Sequence, residues 1–415
     1  MFKKRVSPFT CIIIALLCCV VTFVAVYARS SVGRDRAVNA VREKTAESEA
    51  SAAETAKTDE EYYEKLRRMT DFVSQHFLWD VDKEKMWEAI YAAALDSLGD
   101  KYTYYMGADE FVSYSSPSGG LVGIGVRYVP DEETGGMFVA DVMEKGGAFA
   151  AGLKRGDVII AVGTLRADGE NRDELVEAVR GEPGSTVDLA VLRNGKERLF
   201  SVTRAPLPGD SAYSIQLDGT TWIICITTFS EDNSAEDVIT EIENARELGC
   251  EKIIFDVRGN PGGALDQICA TLDYLLPEGD IVSYNDISGN KQVERSDADH
   301  LDMPMAVLCD ETTVSAAELF TAAMKDYKAA VIVGQTTFGK GIMQHIRLLG
   351  DGSAMSVTTS YYYPPSGVNY HEKGVEPDYV VEEDSPFGKE YYLDPLSVDP
   401  QVQKAYEILN ALPEN

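Results

Sequence analysis

The chain opens with an uncharged run, "VSPFTCIIIALLCCVVTFVAVYA" from Val6 to Ala28, directly after Lys3, Lys4 and Arg5. As a helix rising about 1.5 Å per residue, it is long enough to cross the roughly 30 Å hydrocarbon core of a bilayer. Basic residues before it keep residues 1–5 in the cytoplasm and place the remainder outside. A cleaved signal peptide ending near Ala28 is the rival reading. The run exceeds the usual apolar region of such peptides and no A-x-A site follows, which favours an uncleaved anchor over 6–28. Residues 29–58 include "AVREKTAESEASAAETAKT", lack aromatic side chains and read as a spacer. From 59 to 108 the pattern is that of a helical arm, in "EYYEKLRRMTDFVSQHF" and "DKEKMWEAIYAAALDSLGD". In the second stretch Met86, Ile90, Ala93, Ala94 and Leu98 share one face, and Gly99 supplies the stop.

Between 109 and 205 the texture becomes β-rich and punctuated by glycine. "GGLVGIGVRYV", "GGMFVADVM" and "GDVIIAVGT" predict strands, "DELVEAVRG" a short helix, and "TVDLAVLRNGKERLFSVTRA" a hairpin turning at Asn194-Gly195. The glycines of Gly123-Ile124-Gly125-Val126 allow successive amides to face a carboxylate, beside a strand edge able to pair with an extended peptide. An unliganded glycine turn is the plain alternative. With "AGLKRGDVIIAVGT" downstream, the segment resembles a PDZ domain, and the resemblance implies peptide binding at residues 123–126.

From 206 to 395 short β-branched runs alternate with helical patterns. "TTWIICITTF", "CEKIIFDVR", "MPMAVLCD" and "AAVIVGQ" are separated by "SAEDVITEIENARELG", "ALDQICATLDYLLP" and "SAAELFTAAMKDY". Such alternation implies a largely parallel sheet covered by helices. Residues 396–415 close the chain with a docking helix whose stripe is Val402, Ala405, Tyr406 and Leu409.

A length of 415 residues implies two or three domains, and 45% hydrophobic with 26% charged residues is a globular composition. A net charge of −30 argues against a nucleic-acid partner, whose binding needs clustered Lys and Arg. Outside the anchor, Cys225, Cys250, Cys269 and Cys309 match no zinc spacing and read as buried thiols, with a disulfide between two of them left open.

Three stretches carry candidate chemistry. Ser315 begins Ser315-Ala316-Ala317-Glu318, an S-x-x-E capping box, and a helix N-terminus also stabilises developing negative charge. Cap and nucleophile are therefore both open. His76, His300, His345 and His371 have no G-x-S-x-G elbow to serve. A lysine kept neutral by burial is another base, and "TFGKGIMQ" supplies Lys340 between two glycines with Gln344 four residues on; a solvated loop lysine is the plain reading. "FDVRGNPGGALDQ", 255–267, is a strand-to-helix turn whose amides can face an oxyanion.

Together these stretches, in the order helical arm, PDZ, core, resemble the C-terminal processing, or tail-specific, peptidases, which are PDZ-containing serine proteases with a Ser-Lys dyad. The resemblance runs from about Glu61 to the C-terminus. It implies Ser315 as nucleophile, Lys340 as general base and Gln344 as its orienting partner. Gly263 and Ala316 fall on the oxyanion donors, and Arg180 on an arginine that in some relatives links PDZ state to the active site. "YYYPPSG" and "HEKGVEPDYVV" match a later family stretch with no assigned chemistry. Val314 and Ala317 depart from members that carry a further Ser there, and Gly259 stands where Asn is common; none is a catalytic position.

The implied fold is multidomain α/β: a transmembrane helix, a helical arm, a PDZ-type β-barrel domain and a mostly parallel protease core of the ClpP/crotonase kind. The implied activity is membrane-anchored, extracytoplasmic serine endopeptidase action on exposed protein C-terminal tails. It needs no cofactor or metal, and a homo-oligomer stays open. The competing readings are a non-catalytic membrane-tethered PDZ scaffold and a hydrolase of small esters using the same dyad.

Overall fold

The computed structural model describes residues 58–115, 122–207, 211–230, 232–382 and 388–412. The anchor assigned to 6–28 and the spacer as far as residue 57 lie outside the described residues. Among the described residues no helix is long and apolar enough to cross a membrane. Residues 1–87 and 88–415 are separate units. In the first, α1 (Asp59–His76) starts at Thr58, whose amide donates to Glu61 Oε2 at 2.9 Å. Next comes α2 (Lys83–Asp96). The apolar face expected there is only partly covered: Met86 and Ile90 are half-buried and Leu98 is exposed.

After β1 (Tyr104–Met106) and α3 (Ala108–Ser115) the PDZ region begins. Its strands are β2 (Val122–Gly123), β3 (Val126–Pro130), β4 (Met137–Val142), β5 (Val158–Val162), β6 (Leu165–Arg166), β7 (Thr186–Arg193), β8 (Lys196–Thr203) and β9 (Ala205–Pro206). Helix α4 (Gly147–Ala151) lies between β4 and β5, and α5 (Arg172–Val179) between β6 and β7. The order β3-β4-β5-β7-β8 leaves β3 at an edge, and β2 pairs with β9. Val139, Ile159, Leu175, Leu189 and Val202 fill the interior. The β7–β8 hairpin turns where expected, because Asn194 (φ 52°) and Gly195 (φ 71°) both accept the left-handed backbone of a two-residue turn.

The core sheet runs β10 (Ala212–Gln216), β11 (Thr221–Ile226), β12 (Lys252–Asp256), β15 (Met305–Cys309), β16 (Ala330–Gly334) and β19 (Tyr379–Val380). β10 is antiparallel to β11, and the remaining pairings are parallel. Its central strands β11, β12, β15 and β16 are buried on both faces, as helix-covered parallel strands must be, while the edge strand β19 is exposed. Trp222, Ile224 and Ile226 pack with α6 (Ser234–Glu247), α7 (Leu265–Leu275) and α8 (Ala316–Asp326). The alternate residues Ile223 and Cys225 pack towards α9 (Lys389–Leu393) and α11 (Pro400–Ala411), which α10 (Pro395–Val398) separates. Val402, Ala405 and Leu409 of the docking stripe are buried there. Cys225, Cys250, Cys269 and Cys309 are free thiols.

A second sheet is formed by β13 (Gly279–Asn285), β14 (Lys291–Ser296), β17 (Ile342–Leu348) and β18 (Ala354–Tyr363), joined by β1. Residues 104–106, placed by sequence in the arm, thus belong to this sheet through Tyr104–Ser356 pairing. A buried polar knot ties the last helix to the strand end before the glycine turn. Arg258 meets Asp256 at 2.6 Å and Asp399 at 2.9 Å, and donates to Gln401 Oε1 at 3.0 Å. The Tyr391 hydroxyl donates to Asp256.

Candidate active site

Each chemistry-bearing segment follows a core strand. After β12 the chain turns through Gly259-Asn260-Pro261-Gly262-Gly263 into α7. Asn260 is fully buried: its side-chain amide donates to Ile226 O, its side-chain oxygen accepts from Gly262 N at 2.8 Å, and its carbonyl accepts from Val314 N. A Cβ on Gly262 would lie 2.7 Å from Val314 O and 2.9 Å from Ser315 Cβ, so only glycine permits this approach. The Gly263 and Ala316 amides donate to no protein group among the described residues.

After β15, Ser315 caps α8 with φ 59° and ψ −115°, a conformation costing a non-glycine residue about 1–3 kcal/mol. Its amide donates to Glu318 Oε2 at 2.9 Å, so the capping arm read from S-x-x-E is present. The same carboxylate, fully buried, does more than cap. Its oxygens also accept from the Thr337 hydroxyl at 2.5 Å, Gly339 N at 2.6 Å and Lys340 N at 2.7 Å. One side chain thus holds the backbones of the serine turn and the lysine loop together.

Lys340 is half-buried, and its carbonyl accepts from the Tyr362 hydroxyl at 2.7 Å. The Tyr362 hydroxyl in turn accepts from Tyr370. Burial depresses the Lys340 amine below the ordinary lysine value; the Glu318 and Asp100 carboxylates oppose the fall and Lys101 assists it. Burial also pushes the Tyr362 phenol up, keeping it protonated.

Ser315, Lys340, Gln344, Gly263 and Ala316 all line one cleft of about 1040 Å³. Leu265, Ile268, Leu319, Ile342 and Met343 give it an apolar wall. No hydrogen bond joins the Ser315 hydroxyl to the Lys340 amine among the described residues; the amine lies 4.8 Å from the Tyr102 ring centroid. Gln344, beside a β-bulge in β17, donates to Thr358 Oγ1 at 3.2 Å. Arg180 is exposed and pairs with Glu177 at 2.6 Å.

The 123–126 loop lies at the start of β3. Its Ile124 and Gly125 carbonyls accept from Ala148 and Met143, while the Ile124 and Gly125 amides donate to nothing among the described residues. Glu318 as a clamp, Asn260, Tyr102 and Tyr362 were not read from sequence. Only the S-x-x-E spacing, which marked Glu318 as a capping residue, and the tyrosine run at 361–363 gave any signal.

Residues 221–381 match the model of Peptidase family S41, and 122–203 that of the PDZ domain. The carboxy-terminal processing protease CtpB of Bacillus subtilis is 30% identical over 363 residues, 84% of this chain and 75% of CtpB. This chain belongs to peptidase family S41. CtpA of the same organism is 29% identical over 344 residues, covering 82% of this chain and 73% of CtpA. The family fold extends to a solved S41-type structure from Bacteroides fragilis, at 17% identity and a TM-score of 0.55, covering 83% of this chain and 97% of that one. As a member of the family the chain is a serine-type peptidase bearing a PDZ domain.

Proposed function

We propose that the chain is a membrane-anchored, extracytoplasmic endopeptidase that takes protein C-terminal tails on its PDZ loop and cleaves them with a Ser315–Lys340 dyad. The observation that carries this reading is the single buried carboxylate of Glu318 gripping the amides of both Ser315 and Lys340 at the wall of one cleft. In the reaction the Lys340 amine swings from the Tyr102 ring to the Ser315 hydroxyl and, neutral, takes its proton. Gln344 orients the amine in its working position. The serine oxygen attacks a peptide carbonyl, and the Gly263 and Ala316 amides hold the resulting oxyanion. Lys340 returns the proton to the leaving amine. Water activated by the same amine then hydrolyses the acyl-enzyme.

The tail's terminal carboxylate would sit against the Ile124 and Gly125 amides, with Gly123 and Val126 flanking, and the residues upstream would pair along the free edge of β3. Lys3, Lys4 and Arg5 ahead of 6–28 support the anchor and its orientation. The core arrangement of the ClpP/crotonase kind belongs to the same reading.

The test is hydrolysis of a disordered reporter with an apolar C-terminal tail by the full chain in detergent, against Ser315→Ala and Lys340→Ala. Cleavage by wild type alone, abolished by amidating the tail's carboxylate, is the expected result. Equal cleavage by all three would exclude the dyad, and indifference to the amidated tail would exclude the PDZ role. Protection of the core from external protease in intact cells would exclude the orientation.

A further inference from the structure

Two lysines share one aromatic ring, and one of them, Lys340, lines the cleft. The Lys101 amine lies 4.8 Å from the Tyr102 ring centroid and 5.0 Å from that of Phe338. The Lys340 amine lies 4.8 Å from the same Tyr102 centroid. The two amines therefore stand within about 10 Å of each other, roughly one screening length at 0.1 M salt. The turn that carries Lys101 is fixed. Asp100 accepts from Tyr102 N and from the Thr103 hydroxyl, while β18 grips the turn through Ser356 Oγ to Tyr102 O at 3.0 Å and Thr358 N to Thr103 Oγ1 at 3.0 Å.

We propose that Lys101 is a positioning residue for the Ser-Lys reaction: its ammonium, held against the Tyr102 ring, drives the Lys340 amine toward the neutral form that Ser315 requires. The inference rests on the dyad reading above and adds to it the group that tunes the base.

The face of an aromatic ring attracts a cation, so Tyr102 alone would favour a charged Lys340 and oppose catalysis. A second ammonium on the same ring reverses part of that preference, because like charges repel and a neutral amine feels no such repulsion. Around Lys340 the carboxylates of Glu318, from α8, and Asp100, from the turn, both favour its charged form. The phenols of Tyr362 and Tyr370 are kept protonated by burial and add no charge. Hydrogen bonding with Thr358 and Thr103 chiefly favours the Asp100 carboxylate, and His371 adds to it. Lys101 is the cation set against the two carboxylates. It is exposed, so its influence passes through water as well as the ring and responds to salt.

The experiment measures the rate at which a fluorophosphonate labels Ser315 of the full chain in detergent as a function of pH, for wild type, Lys101→Met and Lys101→Arg. Labelling needs no PDZ-bound substrate, so it reports the serine and its base alone. At low salt the acid limb of Lys101→Met should move up by about 0.3–0.6 pH units, the Coulomb effect of unit charges about 10 Å apart in a medium between protein surface and water. Arginine should restore the wild-type limb. Near 1 M salt, where the screening length falls to about 3 Å, the wild-type limb should rise to meet that of the methionine variant. The salt titration of wild type stands even if a variant fails to fold. A limb that stays put, moves to lower pH, or shifts in a way that neither arginine nor salt alters would overturn the proposal. Unchanged labelling in Lys340→Met would instead bring down the dyad reading beneath it.

Discussion

Replacing Glu318 by glutamine probes the clamp between the serine turn and the lysine loop. One carboxylate oxygen serves Ser315 N and Lys340 N, the other Thr337 Oγ1 and Gly339 N. Glutamine keeps one acceptor oxygen and turns the other into a donor. In its better orientation the oxygen stays with Ser315 and Lys340. Thr337 can then accept rather than donate, and the Gly339 amide faces an NH2 with no acceptor. Burying that orphan costs about 1–3 kcal/mol, and the two surviving bonds lose their charge assistance at about 1 kcal/mol each. The sum, about 3–5 kcal/mol, is a large share of a typical stability of about 5–15 kcal/mol. Urea unfolding followed through the buried Trp222 should show the midpoint lowered by about 1 M or more. Removing the carboxylate also removes a group that favours protonated Lys340, so the acid limb of Ser315 labelling should move to lower pH in the folded fraction. A midpoint within about 0.2 M of wild type, together with an unmoved limb, would refute the clamp.

Gly262→Ala should fold and yet lose about 10²–10³ in kcat on a tail-bearing reporter. Its Cβ would push on Val314 O and Ala316 N and displace the Gly263 and Ala316 amides proposed to hold the oxyanion; a rate within threefold of wild type would contradict that proposal. Lys340→Met should be more stable than wild type at pH 7. Burial holds the folded amine below the ordinary value of 10.5, so over that interval the unfolded chain binds more protons and wild-type stability rises with pH. The gap between variant and wild type should therefore be widest below the folded value and close as pH approaches 10.5; a gap that is absent at pH 7, or constant with pH, would show that the amine is not desolvated.

The parts of the fold legible in sequence were those governed by short-range rules. Asn194-Gly195 gave its hairpin because the turn needs two left-handed residues, and the alternation of apolar runs gave the helix-covered core sheet. Ser315 and Glu318 were legible as a cap because a capping box is local. The rest depends on contacts far apart in the chain. Glu318 reaches Lys340 across 22 residues, and nothing in S-x-x-E announces a second set of donors. The second sheet escaped notice because strands such as "KQVERS" at 291–296 are mostly polar and half-exposed. The turn at 100–103 reads as a helix end; only its pairing with β18, some 255 residues on, brings Tyr102 to the lysine amine.

The knot around Arg258 has a consequence for the life of the chain on the ribosome. The guanidinium sits beside the glycine turn, and its partners Asp399 and Gln401 lie as much as 143 residues further on, so they are synthesised well after it. Until they emerge and fold back, a buried cation there lacks half its counter-charge. Synthesis from the N-terminus therefore delivers Ser315 and Lys340, the proposed dyad, before the side chains that complete this knot. A chain stopped at residue 398 should therefore fail to label at Ser315, and labelling at the full rate would argue otherwise.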